Sequence, residues 1–245
     1  MVASQVHLVR HGEVFNPDGI LYGRLPGFGL SKLGHRMAQA AADDLVARNR
    51  PIASLRVSPL QRTRESAAPI AVAFGLDPAI EDRIIEPTNH FEGTVMSRAL
   101  KNPLNWPFVV NPLRPSWGEP YARISARMMA AIDDAFDSVE SGDVVLVSHQ
   151  LPIWVAHLTV LGERFPHDPR KRRCALSSIT TFERTTEPAE PSEPSSTGQT
   201  VPGAGAPAAE AAPTAPAAPT PRIVEVGYVE PASALSTSAT DVGAV

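Results

Sequence analysis

Over the first 184 residues, short apolar runs alternate with stretches in which apolar side chains recur every three to four positions. Gln5–Val9 is apolar and β-branched and reads as a buried strand. Leu33, Met37, Ala41 and Leu45 share one face of a helix predicted over Lys32–Arg48, with Ser31 as its cap. Leu55–Val57 is a short strand. Ser58, Pro59 and Gln61 then form a capping box that starts a helix carrying Ala67, Ile70 and Phe74 and stopping near Gly75. Ala79–Ile85 is strand-like. Residues 88–120 are irregular and proline-rich, with one short helix around Met96–Lys101. Ile124, Met128, Ile132, Phe136 and Val139 define a helix over Tyr121–Val139, ended by Gly142. Val144–Val147 is a strand, Pro152–Leu161 a helix stopped by Gly162, and Ala175–Phe182 a strand. This alternation predicts an α/β fold with a mainly parallel central sheet covered on both faces.

The pattern breaks at Thr185. Residues 185–221 hold nine prolines and ten alanines, with no aromatic and no Leu, Ile or Met. Such a stretch buries too little apolar surface to offset its ordering entropy. Ile223, Val224, Val226, Tyr228 and Val229 then return to strand composition. The expected organisation is a folded domain over 1–184, a disordered Pro/Ala-rich insertion over 185–221, a closing strand within 222–231, and a flexible tail over 232–245. The competing reading is a disordered C-terminus from Thr185 onward. The charge divides at the same point, +2 before residue 185 and −6 after it, within a total of −4. That balance argues against a nucleic-acid partner held by bulk charge. No apolar run approaches the roughly 18 residues of a membrane span, and no signal-peptide pattern opens the chain. A single cysteine, Cys174, leaves no intrachain disulfide and no cysteine-rich zinc site, and the expected address is cytoplasmic. Oligomeric state is not readable from the pattern.

Ionisable residues cluster where predicted strands end. Arg10-His11-Gly12-Glu13 follows the first strand, the end at which open α/β sheets bind ligands. Arg10 offers a planar donor fork for phosphate, His11 a nucleophilic imidazole nitrogen, and Gly12 close backbone approach to an anion. Arg62 lies in the first turn of the next helix, where the free N–H groups already favour an anion, so a cation there suggests that an anion visits. His149 follows the strand Val144–Val147. Glu86 ends the strand Ala79–Ile85, ahead of Asn89-His90-Phe91-Glu92-Gly93. Two arginines and two histidines suit a phosphoryl group, and a carboxylate suits proton transfer to a leaving group. There is no HExxH for metal hydrolysis, no G-x-S-x-G around Ser148, and no dinucleotide fingerprint at Gly27 and Gly29.

Arg10-His11-Gly12-Glu13, Ser58-Pro59-Leu60 with Arg62, and the late Ser148-His149 resemble, in order and spacing, the histidine phosphatase superfamily, the phosphoglycerate-mutase-like fold. The resemblance covers about residues 5–183, with 222–231 as closing strand. It implies a three-layer α/β/α sandwich and phosphatase activity without metal or organic cofactor. It makes His11 the nucleophile that becomes phosphohistidine, places Arg10, Arg62 and His149 in the phosphate pocket, and makes Glu86 the proton donor, with Glu92 and then Glu13 as substitutes. His11 is expected neutral because of neighbouring cations, and His149 protonated. Gly12, Asn16, Tyr22 and Arg24 are candidate substrate contacts. The expected partner is a small phosphorylated molecule. The long segment that mutases carry after this glutamate is absent, which favours a phosphatase; the alternatives are a mutase-like phosphotransferase and a non-catalytic binding protein on the same fold. Arg170–Arg173 reads as a solvated basic loop. Trp106, Arg114, Trp117 and Tyr121 are candidates for a substrate lid or for anchoring the 88–120 segment.

Overall fold

The computed structural model describes residues 2–109, 118–168, 171–185, 222–236 and 239. The main compact unit comprises Met1–Arg184 and Ile223–Val245. In chain order its described elements are β1 (Val6–Arg10), α1 (Lys32–Ala47), β2 (Ile52–Val57), α2 (Gln61–Phe74), β3 (Ala79–Ile80), the single turns α3 (Met96–Ala99) and α4 (Trp106–Val109), α5 (Tyr121–Asp137), β4 (Asp143–Ser148), α6 (Gln150–Leu161), β5 (Ile179–Thr185), β6 (Arg222–Val229) and α7 (Ser233–Ser236).

The strands form one six-stranded sheet in the order β3-β2-β4-β1-β5-β6. β1 and β4, β4 and β2, and β2 and β3 run parallel, whereas β5 is antiparallel to β1. The two faces follow from the twofold alternation of strand side chains. Val6, Leu8, Val144 and Leu146 pack with Ile124, Met128, Ile132 and Phe136 of α5 and with Ile153, Val155 and Val160 of α6. Val9, Val145 and Val147 point the other way, onto Ala41, Ala42 and Leu45 of α1 and Ala67 and Ile70 of α2. The central strands are therefore apolar on both sides, as their continuous runs require, and the layers are helix, sheet, helix. No described helix is long and apolar enough to cross a membrane.

Three local expectations are corrected. α2 begins at Gln61 after Leu60, without a side-chain cap. The Ser58 hydroxyl that would have capped it is engaged by His149 instead. The strand expected over Ala79–Ile85 is only Ala79–Ile80, followed by a 3-10 turn at Asp82–Ile84. The Glu81 carboxylate accepts from the Arg83 N–H, a local side-chain bond that competes with strand pairing and turns the chain. β5 starts at Ile179 rather than Ala175, because residues 175–178 form a turn closed by the Ser178 N–H to the Ala175 carbonyl at 3.1 Å. Ser177 sits in that turn at φ 55°, a left-handed conformation that costs about 1 kcal/mol or more for a non-glycine residue.

β6 lies at the sheet edge. Its Glu225 pairs with His157 of α6 and with Arg173, and its Tyr228 hydroxyl accepts from the Ala175 N–H at 3.0 Å. Thr185, assigned to the insertion over 185–221, instead ends β5, because it continues that strand's pairing direction; residues 186–221 lie outside the described residues, as do Arg114, Trp117 and Arg170.

Candidate active site

Register brings the two histidines together. Arg10 of β1 lies opposite Ser148 of β4, so His11 and His149 are the next residues on adjacent parallel strands. Their ring centroids are 5.3 Å apart. Val57 of β2 pairs with Val147, which places Ser58 beside the same strand end. The first turn of α2 brings in Arg62, and the 3-10 turn after β3 delivers Glu86. The Ser148 hydroxyl donates to the Ile84 carbonyl at 2.7 Å, tying the Glu86 segment to β4. Arg10, His11, Arg62, Glu86 and His149 are each no more than 2% exposed.

Each side chain is held by a specific partner. Arg10 donates from Nη1 to the Cys174 carbonyl at 2.7 Å, so the 174–178 turn, strained at Ser177, sets its guanidinium. Arg62 donates from Nη2 to the Gly23 carbonyl at 2.8 Å and lies 4.8 Å over the ring of Tyr22, which stacks on Phe28. The Arg62 Nε is buried and has no hydrogen-bond partner among the described residues. His11 Nδ1 is 2.8 Å from the Gly12 carbonyl. A carbonyl can only accept, so the proton is on Nδ1 and the lone pair is on Nε2. His149 Nε2 is 2.7 Å from Ser58 Oγ, and its Nδ1 is 3.4 Å from Glu86 Oε2.

Burial and charge act together on these groups. Burial first, then Arg62 and Arg10, hold the His11 imidazole well below its ordinary pKa. The sequence argument named only the neighbouring cations; desolvation is the larger cause. Burial, Arg62, His11, Arg10 and Arg127 likewise push His149 well down, so the protein itself holds this residue neutral rather than protonated. Burial raises Glu86, while Arg62, Arg172, Arg10 and Arg127 pull against that rise. The site therefore contains two neutral imidazoles, arginine cations and a carboxyl group biased toward its protonated form. That combination can bind an oxyanion, attack it from nitrogen and donate a proton.

The three candidate acids have different surroundings. Glu86 is the carboxylate beside His149. Glu92 lies against Gly23 and accepts the backbone N–H groups of Arg24 and Asn89 at 3.1 and 3.2 Å. Glu13 accepts from the Ser31 hydroxyl at the start of α1. The other predicted contacts also have local tasks. Asn16 bonds both ways to the Ile20 backbone, at 2.8 and 3.1 Å. Arg24 donates from Nε to the Glu86 carbonyl at 2.5 Å. Gly12 donates its N–H to Ser66, and a Cβ there would meet the Gly34 carbonyl at 2.4 Å. Its lack of a side chain thus serves close packing of α1 against the site loop.

Two site residues were read otherwise from the sequence. Ser58 was taken for a helix cap. Arg172 was placed in a solvated loop, but it is partly buried and donates to His167 Nε2 at 2.8 Å and Gln150 Oε1 at 3.2 Å. Arg173, in the same run, faces Glu225 and lies 4.5 Å over the ring of Tyr228. Nothing local in a basic run distinguishes an inward arginine from an outward one. Trp106 is exposed and donates to the Leu100 carbonyl at 3.0 Å, while Tyr121 packs beside Phe165 and His167. Among the described residues, no group of three or more His, Cys, Asp or Glu side chains could hold a metal ion.

A sequence model of the histidine phosphatase superfamily (branch 1) matches residues 6–192. The chain belongs to this superfamily. The Mycobacterium tuberculosis protein Rv0525 is 50% identical over 181 residues, covering 73% of this chain and 89% of the relative. Among solved structures, Bacillus stearothermophilus YhfR superposes with a TM-score of 0.63 at 20% identity, covering 73% of this chain and 90% of the other. A phosphoserine phosphatase from Entamoeba histolytica, solved with 3-phosphoglyceric acid, superposes with a TM-score of 0.60 at 23% identity, covering 73% and 89%. These two structural likenesses establish the histidine phosphatase fold, and membership of a superfamily of phosphatases and mutases supports a phosphoryl-transfer enzyme.

Proposed function

We propose that the chain is a phosphatase that hydrolyses a small phosphomonoester through a phosphohistidine at His11. The observation that carries this reading is the Nδ1 bond of His11 to the Gly12 carbonyl, which leaves the Nε2 lone pair for attack beside two buried arginines. Arg10 and Arg62 receive the phosphoryl oxygens, a role that suits the unpartnered Arg62 Nε. Nε2 of His11 bonds to phosphorus while the ester P–O bond breaks. Glu86, whose carboxyl burial biases toward the protonated form, gives its proton to the departing alkoxide. His149 donates a hydrogen bond to an oxygen on which charge accumulates. Water then attacks the phosphohistidine, its proton returns to Glu86, and the P–N bond breaks to release phosphate. The arginines supply the positive charge that the transferring group needs, so the reading requires no metal ion. Glu86 is favoured as the acid over Glu92 and Glu13 because those two carboxylates are spent on backbone N–H groups and on Ser31.

A phosphoramidate survives alkali and breaks down in acid. Quenching turnover of a radiolabelled phosphomonoester into alkali should therefore trap label on the peptide containing His11. His11→Ala should abolish both label and turnover. His149→Ala should slow labelling without moving the label, and a chelator should change neither. Label on His149, or turnover that survives His11→Ala and stops with chelator, would overturn the reading. Phosphate moved to an organic acceptor, with none released, would make the chain a phosphotransferase.

A further inference from the structure

A buried contact joins Ser58 Oγ to His149 Nε2 at 2.7 Å, and the phosphatase reading leaves it without a role. Resting on that reading, we propose that Ser58 is a positioning residue: its hydroxyl donates to Nε2 of His149 and thereby fixes the imidazole proton on Nδ1, the nitrogen that faces the reacting phosphoryl group.

A neutral imidazole has one N–H, and which nitrogen carries it decides whether His149 can donate into the pocket. Nε2 lies 2.7 Å from Ser58 Oγ. Among the described residues Nδ1 has no hydrogen-bond partner, and it is buried, on the side where Glu86 Oε2 stands 3.4 Å away. With the proton on Nε2, His149 would donate to Ser58 and turn a lone pair toward the carboxyl and the phosphoryl oxygens. With the proton on Nδ1, the same ring gives those oxygens a donor. A hydroxyl can support either arrangement, but the rest of the serine narrows the choice. Its backbone N–H goes to the Val147 carbonyl at 3.1 Å, and its carbonyl accepts from Thr63 Oγ1 at 2.8 Å. Among the described residues, His149 Nε2 is the one hydrogen-bond partner of its hydroxyl. Ser58 is fully buried, so bulk water cannot replace that donor. Burial and the surrounding arginines keep the ring neutral, which is the state in which tautomer choice matters.

The test uses the full chain labelled with nitrogen-15 histidine, with the His149 signals assigned by their loss in His149→Asn. Ring nitrogen shifts in the wild type should place the proton on Nδ1. Ser58→Ala should lose this single pattern, with kcat reduced roughly 10- to 100-fold, as expected when a buried acceptor loses its donor, and KM within about twofold. Ser58→Thr keeps the hydroxyl and should recover both the nitrogen pattern and most of kcat, which a loss of packing alone would not do. A wild-type proton on Nε2 would overturn the proposal, as would a Ser58→Ala variant with unchanged shifts and kcat. If Ser58→Ala fails to fold, the wild-type shifts and Ser58→Thr still decide. A wild type with the Nδ1 proton but no phosphatase turnover would sink the phosphatase reading alone.

Discussion

At the scale of single residues, the site depends on pKa values that burial moves in opposite directions. The His11 imidazole is pushed well below its ordinary value, so it stays neutral into acid. The Glu86 carboxyl is pushed up, so it stays protonated above the ordinary carboxylate range. The signs set the pH profile. kcat/KM should fall as pH drops through the His11 value, and fall again as pH rises through that of Glu86. Glu86→Gln should remove the alkaline limb and lower turnover of an alkyl phosphate by about 10²–10⁴. An aryl phosphate, whose leaving group needs little protonation, should lose less. Profiles of both substrates in wild type and variant check this; an alkaline limb that survives in Glu86→Gln would assign the proton to another group.

At the scale of elements, the strand ends opposite the site are tied by Asp143. Its carboxylate accepts from the Gln5 N–H at 3.1 Å, from Arg50 Nε and Nη2 at 2.6 and 2.8 Å, and lies 3.4 Å from His7 Nε2. It thus joins the starts of β1, β2 and β4, whose register sets His11 beside His149 at the far end. Burial opposes the charge of Asp143, but hydrogen bonds from Arg50 and His7 outweigh it and hold the carboxyl at about 2. A depressed carboxyl pKa stabilises the fold above its unfolded value, near 4, and that stabilisation is lost as pH falls through about 2. Its size at neutral pH is about 2 kcal/mol. Asp143→Asn should therefore lower unfolding free energy by about that much at pH 7, and the gap should close between pH ~4 and pH ~2. Urea unfolding of both proteins across this range measures it; a gap independent of pH would mean that the carboxylate's charge is not what stabilises this end.

At the scale of the whole molecule, β6 follows a Pro/Ala-rich stretch yet belongs to the central sheet. Ile223 is buried with the α5 and α6 residues, and Glu225 and Tyr228 reach α6 and the 174–178 turn behind Arg10. Deleting residues 185–221 and closing the gap with a short turn should leave a folded, active protein. Loop-closure cost grows only logarithmically with length, so stability should change by roughly 1–2 kcal/mol at most. Truncation after Arg184 should cost clearly more, because the Ile223 burial and the Glu225 pairs with His157 and Arg173 go with β6. Unfolding midpoints of the two truncated forms decide it: equal stability would make β6 dispensable.

Features that depend on near neighbours could be read from the chain. The runs Val6–Val9 and Val144–Val147, the helical spacing of Ile124, Met128, Ile132 and Phe136, the Ser31 cap, and the stops at Gly75 and Gly162 all follow from periodicity and local conformation. So did the positions of Arg10, His11, Arg62 and His149 at element ends. What tertiary structure decided was pairing at a distance. Ser58 could cap a helix or meet His149, 91 residues away, and only the register of β2 against β4 chose between them. Arg172 was one cation in a basic run until Gln150 and His167 received it. The three glutamates, alike in sequence, became different acids because their surroundings differ: one buried beside an imidazole, one bound to backbone N–H groups, one to a serine hydroxyl. Periodicity records which side chains leave water. Which groups they then meet is set by packing between segments far apart in the chain, and desolvation and hydrogen bonding, which fix a proton's place, act only after that meeting.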